Sequence, residues 1–289
     1  MNDETRVHRA WLACGAVGFG PVLQRSVEVQ QGSVHLKTSF TSKIVIKLAF
    51  PRLHVDASAV AGLIEWYCNR LGMSVIKEIK SEKELIHWVG YQNAPQSAVV
   101  EFRSSLKQST PPKYYKPQPS SDVYWKIGLS LADVGIARSK LVRQDVEVTS
   151  PRQFRDIGYM CHLSDPFGFS LELLQHDFQS NFSSERVQAS LEPNLALGQQ
   201  AHIGQITLRV SDINRSLQFY QSTLGMKFLS IQSIPNMFNL YFLACTDEKP
   251  PSNDLNAGEI REWLWKRPYT TLAALSRDEP EVQHCRLEP

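Results

Sequence analysis

His162, Glu172 and His176 lie close together in the sequence, and side chains of these types can bind a divalent metal or transfer protons. Their spacing does not match the HExxH signature of zinc hydrolases, and the cysteines never form a CxxC pair. The chain also has no glycine-rich phosphate loop and no GxSxG nucleophile motif. We therefore interpret His162 and His176 as structural histidines.

Composition excludes several classes of function. The chain of 289 residues has a formal net charge of +2 with scattered basic residues, so nucleic acid and acidic membranes are not expected partners. No apolar run of roughly 18 residues occurs, and no membrane span is predicted. A hydrophobic content of 42% is sufficient for the cores of one large or two ordinary domains.

The five cysteines are odd in number and widely spaced, which fits reduced thiols in the cytoplasm better than a disulfide framework. Residues 1–42 contain arginines and few acids, so mitochondrial import is the alternative, although Asp3 and Glu4 weaken it.

Two segments of the chain repeat one another. They are Ile64–Ile76 (IEWYCNRLGMSVI) and Leu217–Leu229 (LQFYQSTLGMKFL), and a repeated supersecondary unit indicates a fold built by duplication. Both contain the i, i+3, i+4, i+7 spacing of a core-facing helix, and Gly72 and Gly225 stand where a helix C-cap is expected. A β-prone run follows each glycine, so each segment predicts a helix that leads into a strand.

The same pattern along the chain predicts three βαβββ units and an α+β fold. The first unit begins at Lys43 and has its helix at about Ala59–Leu71. The second runs from VYWKIGLSLADV to a hairpin with its turn at Asp165–Gly168, and the third runs from HIGQITLRV, with a helix at Ser216–Leu224, to YTTLAAL. The predicted divisions are an N-terminal extension (1–42), a first domain of two units (43–178), a linker (179–199), half of a second domain (200–275) and a tail (276–289) too short for a fourth unit.

The third unit resembles the N-terminal half of glyoxalase I (lactoylglutathione lyase), a member of the vicinal oxygen chelate superfamily of paired βαβββ modules. The matching segments are QITLRVSD (205–212), SLQFYQSTLGM (216–226) and NLYFLA (239–244). Units one and two resemble a generic module pair through EWYCNRLGM and DPFGFSLELL. The resemblance implies the glyoxalase/bleomycin resistance/dihydroxybiphenyl dioxygenase-like fold with the last module missing.

The resemblance also implies a reaction, the isomerisation of the glutathione–methylglyoxal hemithioacetal by a divalent metal (zinc or nickel) with glutathione as cosubstrate. Gln205 matches the first-strand metal ligand of the family. Glu172 matches the last-strand carboxylate and is the candidate catalytic residue, and Glu101 matches the same position in module one. Arg209 falls at the position that binds the glutathione carboxylate, with a surface-pointing strand residue as the alternative.

Other positions depart from the family pattern. Ala273 stands where a last-strand glutamate is expected, and a methyl group cannot bind a metal. Lys126 replaces the expected histidine, and it is predicted to form an ion pair with Glu101 or Glu172 in an abandoned metal cavity. Phe50 occupies the first-strand position of module one, and His54 is interpreted as a strand histidine.

Two pairings of modules are open, and neither reaches three good ligands. Modules one and two would bring together Phe50, Glu101, Lys126 and Glu172. Modules two and three would bring together Lys126, Glu172, Gln205 and Ala273.

The leading interpretation is a glyoxalase I-like lyase that acts on a small-molecule thiol adduct, with a homodimer that completes module three. The alternative is a degenerate binding or scaffold protein without a complete metal site. A ring-cleaving dioxygenase would need a His/His/Glu triad, which the sequence does not supply. An alternative exon or a faulty gene model after Leu272 is a further explanation for Ala273.

Overall fold

The computed structural model of the chain describes residues 13–15, 47–49, 52–106, 114–118, 121–181 and 197–276. Most of the predicted N-terminal extension, Phe50, residues 182–196 of the predicted linker and the tail beyond Ser276 lie outside the described residues. Two short strands, β1 (Ala13–Gly15) and β2 (Lys47–Ala49), pair antiparallel.

Module one is a four-stranded sheet with one helix. Its elements are β3 (Arg52–His54), α1 (Val60–Leu71), β4 (Ser74–Lys80), β5 (Glu84–Gly90) and β6 (Val100–Ser105). The strand order is β3-β6-β5-β4, in which β3 is parallel to β6 and the other pairs are antiparallel.

Modules two and three together form one eight-stranded sheet. The elements of module two are β7 (Tyr124–Leu131), α2 (Val134–Val142), β8 (Arg152–Phe154), β9 (Gly158–Ser164) and β10 (Ser170–Gln175). Those of module three are β11 (His202–Val210), α3 (Ile213–Gln218), β12 (Lys227–Ile234), β13 (Phe238–Ala244), α4 (Gly258–Trp265) and β14 (Thr271–Ser276). The order β12-β13-β14-β11-β7-β10-β9-β8 joins the modules through their antiparallel first strands, β11 and β7.

This arrangement confirms the predicted α+β fold of paired βαβββ modules. Modules one and two share a hydrophobic core instead of a sheet, and Tyr67 and Phe102 of module one belong to the same buried cluster as Leu129 and Leu171 of module two. The predicted domain boundaries and the homodimer stay predictions. Within the chain, β11 of module three already pairs with β7.

The repeated Leu-Gly-Met segments end their helices as predicted. Gly72 and Gly225 have φ angles of 72° and 68°, in the left-handed region that glycine adopts at little cost. Their N–H groups donate to the carbonyls of Cys68 and Gln221, each at 3.1 Å. The helix of module three begins earlier than predicted because the Asp212 side chain caps it, accepting a hydrogen bond from the Arg215 N–H at 2.9 Å. A π-helical turn at Phe219–Thr223 continues it.

The predicted turn at Asp165–Gly168 joins β9 to β10. One carboxylate oxygen of Asp165 accepts hydrogen bonds from the N–H groups of Phe167 at 2.8 Å and Phe169 at 2.9 Å. The other oxygen accepts one from the hydroxyl of Tyr67 in module one at 3.0 Å. Burial raises the pKa of Asp165 to about 6, although these hydrogen bonds oppose the change. The turn therefore also ties module two to module one.

Among the described residues, no helix combines the length and the apolar character needed to span a membrane.

Candidate ligand-binding cavity between modules two and three

A cavity of about 680 Å³, counting its open mouth, lies between the walls of modules two and three. Most of its wall is apolar and comes from both modules: Ile157, Met160, Leu174, Ile234, Phe238, Leu240, Phe242 and Trp265. Six polar residues on the strands also line it: Lys126, Arg152, His162, Glu172, Gln205 and Gln232. An apolar cavity with a few converging polar groups is the usual form of a small-molecule site.

The sheet register brings together the four positions predicted for the pairing of modules two and three. Lys126 of β7 lies opposite Thr207 of β11, and Gln205 of β11 lies opposite Gly128 of β7. The last strands repeat this relation, because Glu172 is beside Gly128 and Ala273 is beside Thr207. Lys126 is therefore the counterpart of Gln205, and Glu172 is the counterpart of Ala273, as the resemblance to the family implies.

Gly128 is needed for the close approach of Gln205. A Cβ atom at position 128 would lie 2.5 Å from Cγ of Gln205, which is closer than real side-chain contacts allow. The absence of a side chain there lets the Gln205 amide reach across β7 towards Glu172.

An ion pair occupies the centre of the polar cluster. The Lys126 ammonium contacts Oε2 of Glu172, and both side chains are nearly fully buried. This confirms the ion pair predicted from the sequence, with Glu172 as its partner. Because each charge compensates the other away from water, removal of either one would leave a costly buried charge.

Two further side chains, those of His162 and Gln205, form hydrogen bonds with the Glu172 carboxylate. Nε2 of His162 lies 2.9 Å from Oε2, and since an ionised carboxylate only accepts hydrogen bonds, this nitrogen carries the proton. The side-chain amide nitrogen of Gln205 donates to Oε1 at 3.1 Å and to the Thr207 hydroxyl at 3.3 Å. The other amide atom, Oε1 of Gln205, is buried and has no hydrogen-bond partner.

Charge and burial act in opposite directions on Glu172. Burial raises its pKa, but the charge of Lys126 and the contact with His162 outweigh burial and lower the pKa to about 2. Glu172 is therefore ionised at neutral pH, and its carboxylate is saturated by donors from three strands.

These residues do not fit a divalent metal. Glu172 and Gln205 offer oxygen ligands, but Lys126 places a positive charge where the family pattern has a third ligand, and Ala273 offers none. Within the described part of the chain, no group of three or more His, Cys, Asp or Glu side chains could hold a metal ion. A metal at Glu172 would have to displace the Lys126 ammonium from the same carboxylate.

Glu101, the third candidate ligand, lies in module one and belongs to the other sheet. It is buried and accepts a hydrogen bond from Nε1 of Trp88 at 3.0 Å, and Nε of Arg103 lies 3.3 Å from its other oxygen. The structure thus brings Gln205 and Glu172 together and leaves Glu101 apart from them.

Arg209, the candidate substrate-binding residue, is buried and does not point to the surface. Its Nη1 donates to the carbonyl of Tyr124 at 2.7 Å, and its guanidinium carbon lies 5.3 Å from the ring centroid of Trp125, which lines the cavity. Binding of a substrate carboxylate by Arg209 stays a prediction.

Sequence reasoning missed two residues of the cavity. His162 was interpreted as structural, but it lies directly opposite Glu172 in the β9–β10 ladder, a relation that the hairpin register determines. Gln232 was not considered. It lies on the buried face of β12, in the run FLSIQSI, where the alternating pattern predicts an apolar residue. A polar residue at such a position was the signal that could have identified it.

Comparisons with known proteins agree with this architecture. A family model of the Glyoxalase/Bleomycin resistance protein/Dioxygenase superfamily matches residues 57–173 and 202–258. Glyoxalase I from Zea mays is similar in structure, with 18% sequence identity, a TM-score of 0.53 and coverage of 80% of this chain and 67% of that one.

Two single-residue variants of the Zea mays protein give similar values, with 16% and 17% identity, a TM-score of 0.52 and coverage of 80% of this chain and 68% of theirs. No curated protein sequence matched significantly. The structural similarity at this identity establishes the fold, and the family match covers more than half of the chain. The chain belongs to the Glyoxalase/Bleomycin resistance protein/Dioxygenase superfamily.

Proposed function

We propose that the chain is a binding protein that takes up a small organic molecule in the cavity between modules two and three without a metal ion. The observation that carries this proposal is the Lys126–Glu172 ion pair at the centre of the predicted ligand set. The lysine charge takes over the neutralisation of Glu172 that a cation would otherwise provide.

The module-three side of the cavity supports the same proposal. Ala273 is fully buried beside Phe242, its neighbour across the β13–β14 ladder and a residue of the cavity wall, so a methyl group stands behind the wall where the family pattern has a carboxylate. Apolar contact is suited to holding an organic molecule and unsuited to holding an ion.

The second candidate is the activity implied by the resemblance, a lactoylglutathione lyase that uses a divalent metal and glutathione. The observation that favours it is the contact between Gln205 and Glu172, the two predicted ligands from different modules, at 3.1 Å. In this candidate, Gln205 and Glu172 would have to hold the metal after it displaced the Lys126 ammonium, and the metal would supply Lewis-acid polarisation of the substrate oxygens.

Uptake of an apolar probe tests the first candidate. Cumene should bind the purified full chain, as detected by saturation-transfer NMR. Leu240→Trp, which fills the cavity, should abolish binding, whereas Val142→Trp at an exposed helix position should not. Failure of cumene to bind, or binding unaffected by Leu240→Trp, would contradict the proposal.

An isomerase assay tests the second candidate. The glutathione–methylglyoxal hemithioacetal is supplied with and without Zn²⁺ or Ni²⁺, and we expect no rate above the uncatalysed one. A metal-dependent rate that disappears in Glu172→Ala would establish the lyase and refute the metal-free proposal.

A further inference from the structure

Gln232 is an unexplained polar group in the cavity wall. It lies on β12, its side chain is completely buried, and neither its Nε2 nor its Oε1 atom has a hydrogen-bond partner. Nearly all buried polar groups in folded proteins are hydrogen-bonded, and an unsatisfied one costs free energy. An amide with both ends unsatisfied at a cavity wall indicates a ligand that provides the missing partners.

The surroundings of Gln232 limit the character of this ligand. Leu240 is its neighbour across the β12–β13 ladder, and Ile234 follows on the same face of β12. Trp265 presents only its ring to the cavity, because its indole N–H already donates to the carbonyl of Ile157 at 2.8 Å. The body of the ligand therefore meets apolar and aromatic walls.

Gln232 is also separate from the ionic cluster. Strands β13 and β14 lie between β12 and β11, and the ladder partners Leu240 and Leu275 place Gln232 level with Arg209 of β11. Gln205 lies four residues further along β11, so it is more than three strand spacings, roughly 14 Å, from Gln232 along the curved sheet. Lys126 and Glu172 already compensate one another, and they present no unbalanced charge to attract an ion. The cavity wall also contains Arg152, but this exposed residue lies on β8, at the opposite edge of the sheet from β12. The character of the ligand group at Gln232 is therefore set by the hydrogen bonds that its amide lacks.

A side-chain amide offers a donor and an acceptor next to each other. A carboxylate would satisfy Nε2 and leave Oε1 unpaired, and an ammonium would do the reverse. A planar amide edge, with C=O beside N–H as in a carboxamide or a lactam, satisfies both atoms at once.

We infer that the cavity binds a small neutral molecule with an apolar or aromatic body and a carboxamide or lactam edge, and that Gln232 determines this specificity by pairing with the edge. The inference depends on the proposed metal-free binding function and names the class of ligand for that site.

Four ring compounds of equal size test it: benzamide, acetophenone, benzoate and cumene. Calorimetric titration of the full chain should show benzamide binding about tenfold more tightly than cumene, with acetophenone between them and benzoate weakest. In Gln232→Leu, benzamide should lose this preference while cumene binds at least as well, which also shows that the cavity is intact. Gln221→Leu, at an exposed position of the π-helical turn, is the matched control and should bind like the wild type.

Equal binding of benzamide and cumene to the wild type, or a benzamide preference that survives in Gln232→Leu, would overturn the inference. If Gln232→Leu does not fold, Gln232→Met applies the same test with a flexible apolar side chain. Cumene binding without benzamide preference refutes the inference and leaves the metal-free function standing, whereas stoichiometric metal at Glu172 refutes the proposed function itself.

Discussion

Two buried carboxylates, Glu101 of module one and Glu172 of module two, occupy equivalent positions on the last strands of their modules. Glu101 is held by Trp88 and Arg103 of its own sheet. Glu172 is held by side chains that include Gln205 of module three, so it joins two modules. His162 stands opposite Glu172 in the same ladder position where Trp88 stands opposite Glu101.

The difference shows how the same βαβββ architecture can surround a buried carboxylate in two different ways. In module one, the carboxylate interacts with Trp88 on the adjacent strand and with Arg103 on its own strand, and Arg103 also reaches Glu84 at 2.8 Å. In module two, the paired first strands bring Lys126 and Gln205 to one carboxylate. The ionic cluster at Glu172 is therefore the element whose disruption should cost the most.

Lys126→Met should have the largest effect, because it leaves Glu172 as a buried charge without its main compensation. We expect the free energy of unfolding to fall by about 3–5 kcal/mol, measured by chemical denaturation. Adding Glu172→Gln should recover much of the loss. A cost below about 1 kcal/mol for Lys126→Met would show that Lys126 is not the main compensation of the buried Glu172 charge.

The pH dependence of stability should separate Glu172 from Asp165. Because the folded pKa of Glu172 is lowered from 4.5 to about 2, its contribution is present above pH 4.5 and is lost as the pH falls towards 2. Asp165 has the opposite sign, since its pKa is raised from 3.8 to about 6, and stability falls as the pH rises through that window. When the free energy of unfolding is measured from pH 2 to 7, the fall in stability between pH 4.5 and 2 should be absent from Glu172→Gln. An unchanged fall in this variant would contradict the assignment.

Gln232→Leu should stabilise the free protein, in contrast to any change in the ionic cluster. Removal of two unsatisfied buried amide atoms should raise the free energy of unfolding by about 1–2 kcal/mol. Thermal unfolding without ligand measures this, with Gln221→Leu as the control. Destabilisation by Gln232→Leu would show that the amide has partners in the free protein.

Arg103→Met in module one should have the smallest effect. Trp88 still donates to Glu101, and the Arg103 side chain is 22% exposed, so we expect a loss of about 1 kcal/mol. Denaturation under the conditions used for Lys126→Met makes the comparison direct. Equal costs for the two substitutions would remove the distinction between the two carboxylates.

Much of the fold was predictable because its signals are local. The apolar helix stripe, Gly72 and Gly225 as helix caps, and the turn at Asp165 each depend on neighbouring residues. The choice between the two module pairings was not predictable, since it depends on which edge strand meets β7. The roles of His162 and Gln232 depend on that same register and on the cavity it encloses, so composition and spacing could not assign them.

Zinc stoichiometry tests most directly the claim that Lys126 takes the place of a metal at Glu172. The full chain is equilibrated with Zn²⁺, freed of excess metal and assayed by elemental analysis beside Glu172→Ala and the double variant Lys126→His, Ala273→Glu. We predict no stoichiometric zinc in the wild type and about one ion per chain in the double variant, which restores four ligands. One zinc ion in the wild type that is lost in Glu172→Ala would contradict the account.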